Sequence, residues 1–172
     1  MGECVNALKQ WTGKATASVV YDSMVDEFTA DGIFNKVKGK PNVAIVGFTM
    51  DGDVLGGFYN VAVTKKIGSY DPNMFIFSFE SHRRCETPQR FVVKDLWNDS
   101  ARVEFFKDNS DGQFVRFWGG GGKGGFFLGN ERSDSNCISL SQDFEGIENT
   151  TLTGKKNDGD FTCCRLVAIQ LE

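Results

Sequence analysis

The feature that most constrains this chain is how its sixteen phenylalanines fall: in short apolar runs closed off by turn chemistry. "MFIFSF", "RFVV", "ARVEFF", "QFVRFW" and "GGFFLG" are each too short for a globular helix and rich in aromatic and β-branched residues. Runs of that kind are strands. The turns between them are as readable. Asp71-Pro72-Asn73 precedes the first run, Asp108-Asn109-Ser110-Asp111-Gly112 separates two later ones, and "TGKKNDGD" supplies another exposed loop.

Helical spacing occurs only near the start. Val5, Leu8 and Trp11 share one helical face before Gly13, and Ile33, Phe34 and Val37 share another behind Thr29 or Asp31 as cap. "ASVVYD" between them reads as a strand. Val43 to Met50, the turn "DGD" and the return "VLGGFYNVAV" form the clearest hairpin. Gly56 and Gly57 weaken that return strand, which marks a bulge or the close approach of a backbone or a large ring. Phe161 to Leu171 is apolar on both faces, as a central strand is. The fold class is therefore α+β, mostly β: a sandwich of two antiparallel sheets with a few peripheral helices. The 172 residues suit one domain spanning 1–172.

A net charge of -4 and a pI near 5.1 argue against a surface built throughout for nucleic acid or anionic lipid. No apolar run is long enough to span a bilayer, and the start of the chain lacks the pattern of a secretory leader. Five cysteines without framework spacing suit reduced thiols, so the expected compartment is cytoplasmic, with the nucleus as the other choice. Direct membrane insertion is not expected.

Four features invite chemistry. The run Gly119, Gly120, Gly121, Gly122, Lys123, Gly124, Gly125 suggests a phosphate loop, but Phe117 stands where the leading glycine belongs and Gly124 follows the lysine in place of Ser or Thr. It reads as a structural glycine loop between aromatic strands. His82 and Cys85 have the spacing of half a zinc site, with no second half in view, so no metal and no cofactor are assigned. Cys85 is the candidate redox thiol, because Arg83 and Arg84 favour its thiolate while Glu86 opposes them. His82, Arg83, Arg84, Arg90 and Lys94 form a candidate basic patch for phosphates. With a single histidine the chain offers no catalytic constellation, and the expectation is a protein that is not an enzyme.

The order of motifs resembles the TLDc family: "VVYDS", a short helix ending "FNKVKGK", "VAIVGFTMDGDVLGGFYNVAV", "DPNMFIFSF", "FWGGGGKGGFFLG" and the closing "FTCCRLVAIQLE". The resemblance covers about residues 7 to 172. It implies the same sandwich, a role in protection from oxidative stress without established catalytic residues and, for some members, binding to the vacuolar proton-pumping ATPase. The leading expectation is thus a non-enzymatic TLDc-like interaction module acting through a protein partner. Two alternatives stand beside it: a DNA- or RNA-binding regulator of stress-responsive genes using the basic stretch, and a thiol-based peroxide-reacting protein using Cys85.

Overall fold

The computed structural model describes residues 2–107, 112–121, 125–130, 135–155 and 160–172. Among them, two antiparallel sheets of six strands each stack face to face. Sheet A runs β1 (Ala17–Asp22), β12 (Cys163–Leu171), β2 (Val43–Thr49), β3 (Val54–Tyr59), β5 (Phe75–Glu80), β6 (Gln89–Val92). Sheet B runs β11 (Asp160–Phe161), β10 (Ser135–Ile138), β9 (Gly125–Gly129), β8 (Gln113–Trp118), β7 (Arg102–Phe105), β4 (Ser69–Tyr70). The helices are α1 (Gly2–Thr12), α2 (Ala30–Val37) and the single turn α3 (Leu140–Asp143).

Alternation along the strands builds the core. Leu55, Tyr59, Ile76, Phe91 and Leu166 of sheet A meet Val103, Phe105, Val115, Phe117 and Phe126 of sheet B in one buried cluster. The opposite face of sheet A is buried too: Val46, Phe58, Phe75, Phe77, Val167 and Ile169 lie under α1, whose Leu8 is fully buried. Trp11 stacks on Phe79 at 5.7 Å and meets Phe75 edge-on at 6.0 Å. Gly13, at φ +70°, then ends the helix, and its amide donates back to the Lys9 carbonyl at 2.9 Å. Helix α2 is capped by the Thr29 hydroxyl, which accepts from the Gly32 amide at 2.9 Å, and sends Ile33, Phe34 and Val37 into the core between the sheets.

The two strand glycines make room for rings on opposite faces. A Cβ at Gly57 would lie 2.6 Å from the Phe117 ring of sheet B, and one at Gly56 would lie 2.6 Å from Phe77 and 2.1 Å from the Ile45 carbonyl oxygen. Close packing, with no bulge at either glycine, is their reason.

Two boundaries differ from the sequence reading. The return strand of the hairpin stops at Tyr59, because the next amide, Asn60, donates to the Asp71 carboxylate instead of to a neighbouring strand. The apolar stretch from Phe161 is split between sheets: Phe161 pairs with Ser135 in sheet B, whereas Cys163 pairs with Thr49 in sheet A. The change of sheet occurs at Thr162, whose carbonyl accepts from the Met50 amide at 2.9 Å. Period-two hydrophobicity cannot reveal it, since both halves are buried. The turn at 108–111 and residues 156–159 of "TGKKNDGD" fall outside the described residues.

Candidate functional site

The stretch from His82 to Lys94 starts in a strained loop after β5. His82 and Arg83 both have positive φ, 49° and 69°, which residues with a side chain rarely adopt. Local bonds hold them there. The Glu80 carboxylate accepts from the amides of Ser81 (3.0 Å) and His82 (2.8 Å), and the buried Ser81 hydroxyl accepts from the Cys85 amide at 2.7 Å. The centre of the loop is Asp53, only 2% exposed, in the turn between β2 and β3. Its Oδ1 lies 2.9 Å from His82 Nδ1 and also accepts from the Arg84 guanidinium. Arg84 donates further to the carbonyls of Thr151 (3.1 Å) and Leu152 (2.8 Å), so one carboxylate ties three distant segments together.

The candidate basic residues bond to different parts of the fold. His82 and Arg84 converge on Asp53. Arg90 donates to the Trp11 carbonyl at 2.6 Å, closing the end of α1, with its guanidinium 5.5 Å from the Phe75 ring. Lys94 donates to the Ser141 carbonyl at 2.7 Å, on α3. Among the described residues Arg83 alone of the five has no hydrogen-bond or ion-pair partner.

Cys85 is half-buried against the core edge. All five cysteines are free thiols. Burial pushes the Cys163 thiol up to about 12 and moves Cys137 upward as well, so neither supplies a thiolate at neutral pH. Cys164 is exposed on β12, where its Sγ donates to the Phe48 carbonyl.

The glycine loop resolves onto a second internal carboxylate. Asp143, the fully buried last residue of α3, accepts from the Gly119 amide at 3.1 Å and the Gly121 amide at 2.8 Å. Two amides of one glycine turn converging on an anion resemble an anion-binding nest, and here the anion belongs to the protein. Burial raises the Asp143 pKa against the opposing pull of these amides and of Arg116 and Lys94. The glycines are required for different reasons. Gly120 has φ +107° and Gly125 +142°, whereas a Cβ at Gly121 would lie 2.2 Å from the Asp143 carboxylate and one at Gly119 2.5 Å from its Cβ. Gly122, Lys123 and Gly124 lie outside the described residues.

Sequence reading missed the outer face of sheet B. Strand pairing aligns Tyr70 with Arg102 and Arg102 with Trp118, and in the next row Glu104 with Arg116 and Arg116 with Phe127. The Arg102 guanidinium lies 3.8 Å from the Trp118 ring, and Arg116 lies 4.9 Å from the same ring. Helices α2 and α3 turn their apolar residues into the core between the sheets, and α1 lies on sheet A. No described helix covers this face. Alternation in "ARVEFF" and "QFVRFW" signals that Arg102, Glu104, Arg116 and Trp118 face away from the core; only pairing brings them together.

No group of three or more metal-ligating side chains occurs among the described residues. No helix there is long and apolar enough to cross a membrane. No protein-family model matches the chain, and no curated protein matches it.

Proposed function

We propose that this protein is a non-enzymatic, TLDc-like interaction module that serves the oxidative stress response in the cytoplasm by binding a protein partner. The observation that supports binding is the outer face of sheet B, where Tyr70, Arg102 and Trp118 stand in one row with no described helix over them. Tyr, Arg and Trp are the side chains that dominate binding energy when a partner sequesters them. The stress role and the proton-pumping ATPase as partner rest on the motif order of the chain. The polar groups of the 82–94 stretch support a structural role there, since four of its five basic residues hold internal acceptors.

Affinity capture from the native cell, with and without peroxide and with nuclease treatment, tests the reading. A protein partner should be recovered in both nuclease-treated and untreated samples, with recovery that responds to peroxide. Recovery that disappears with nuclease would favour the nucleic-acid regulator instead. Peroxide consumption by the purified protein, lost in Cys85→Ser and retained in the other four Cys→Ser variants, would favour the thiol reading.

A further inference from the structure

We propose that the outer face of sheet B docks a protein segment presenting a single carboxylate flanked by aliphatic side chains, with Arg102 as the group that takes the carboxylate. This rests on the interaction reading above and names the chemistry of the partner.

Arg102 has no anion of its own on this face among the described residues. Two guanidinium groups, Arg102 and Arg116, lie against one indole, and the carboxylate beside them, Glu104, pairs with Arg116 at 3.6 Å. Among the described residues the Arg102 side chain makes no ion pair and no hydrogen bond, and its Nε is buried without an acceptor. Trp118 Nε1 is buried without an acceptor too. Donors buried without partners keep the surroundings of Arg102 poorly solvated, and a charge-assisted bond to the part of its guanidinium that lines the surface cleft gains strength there.

Shape points the same way. A cleft of about 190 Å³ opens beside Arg102, lined by Gly68, Tyr70, Asp99, Ser100 and Arg102. Its surroundings are apolar and exposed: Ile67, preceding Gly68, is 75% exposed; Leu96, in the 3-10 turn before Asp99, is 76%; Tyr70 is 52%. An aliphatic and aromatic margin around a partly desolvated arginine is the anatomy of a binding hot spot. Gly68 fixes the arginine stem, because a Cβ there would lie 2.7 Å from Arg102 Cδ. A guanidinium held in place loses less freedom on pairing with a carboxylate.

A protein carboxylate suits the site better than a run of phosphates. Asp99 and Glu104 flank the arginine and would repel a polyanion, while one carboxylate can meet the guanidinium fork in bidentate fashion. The Trp118 face that a base would stack on is already taken by guanidinium.

The test is a nitrogen-15 NMR titration of the full chain with acetyl-leucyl-aspartyl-leucine amide, following the Arg102 Nε–H and the Trp118 indole N–H, the latter assigned with Trp118→Phe. Both signals should shift saturably. The asparaginyl peptide should bind about tenfold more weakly or worse. Arg102→Gln should abolish the response with the rest of the spectrum unchanged, and Arg102→Lys, which keeps the charge but not the fork, should weaken it. Absence of a saturable shift, equal binding of the asparaginyl peptide, or an undiminished response in either arginine variant overturns the proposal. So does a larger, steeply salt-dependent shift with oligothymidylate. Affinity capture with Arg102→Gln separates this inference from the one beneath it: a partner held equally by wild type and variant defeats the carboxylate site and leaves the interaction module standing. Failure of both proteins to capture a partner defeats the module, and the peptide titration still decides the site.

Discussion

Sheets A and B share a core, but their outer faces are opposites. The outer face of sheet A carries Phe58, Phe75, Phe77 and Val167, and the first helix buries it. That of sheet B carries Arg102, Glu104, Arg116 and Trp118 at the equivalent alternating positions, with no described helix above. The internal carboxylates differ in parallel. Asp53, at a turn of sheet A, is satisfied by the Arg84 guanidinium and the His82 ring; Asp143, the last residue of α3, takes two backbone amides from the segment that follows β8 in sheet B. A sandwich can thus close one face for stability and leave the other for recognition, and the side chains at outward positions decide which is which.

The largest effect that would expose this contrast is truncation on the covered face. Phe77→Ala removes a fully buried ring packed 4.6 Å from Phe79 and should cost about 3–5 kcal/mol in urea unfolding. Trp118→Ala on the open face should cost about 1 kcal/mol, within the ordinary range for a half-exposed site. Equal losses would erase the distinction between the faces.

Next come the two carboxylates. Asp53→Asn strips Arg84 of its anion and should destabilise by about 3 kcal/mol, as breaking a buried ion pair does. Asp143→Asn keeps one acceptor for its amides and relieves a buried charge, so about 1 kcal/mol is expected. The reverse order in chemical denaturation would show that the nest, not the ion pair, is the stronger tie.

Gly121→Ala sharpens the account of the nest itself. Its φ is not positive, so the cost arises from the 2.2 Å approach to Asp143, and overpacking of this kind costs about 1–3 kcal/mol. Combining it with Asp143→Ala should recover most of that loss. Additive losses in the double variant would place the cause in the backbone instead.

The smallest effect lies at the sheet A edge, where Arg165 of β12 bonds Asp22 of β1 through Nε at 2.9 Å. That hydrogen bond holds the Asp22 pKa below its ordinary value, so the stability it contributes is complete above the unfolded-state pKa of about 4 and is lost as pH falls through the lowered folded value. The stability difference between wild type and Asp22→Asn should be under about 1 kcal/mol at neutral pH, as exposed pairs are, and should shrink below about pH 4. A difference that grows on acidification would contradict the assignment.

Much of the architecture was legible because its cause is local. The spacing of Val5, Leu8 and Trp11 gives α1, and Thr29 caps α2 as its side-chain chemistry directs. Gly56 and Gly57 were legible as a bulge or a close approach, but not which of the two, nor which rings approach. The split of the final apolar stretch at Thr162 is not legible in the sequence, since burial looks the same in either sheet. At the candidate sites less was readable. His82 and Arg84 are visible as polar side chains, but the carboxylate they share, Asp53, lies some thirty positions earlier in a turn that reads as ordinary loop chemistry.

From the sequence alone came the strand content, the early helices, the mixed class and the sandwich, because side-chain alternation and turn chemistry act between near neighbours. Tertiary structure alone decided which anion each cation meets, that the glycine amides close on Asp143, and that Tyr70, Arg102 and Trp118 stand in one row. Those outcomes depend on contacts between residues 16 or more positions apart, and strand pairing is selected by the energy of the whole assembled sandwich, which no local pattern contains.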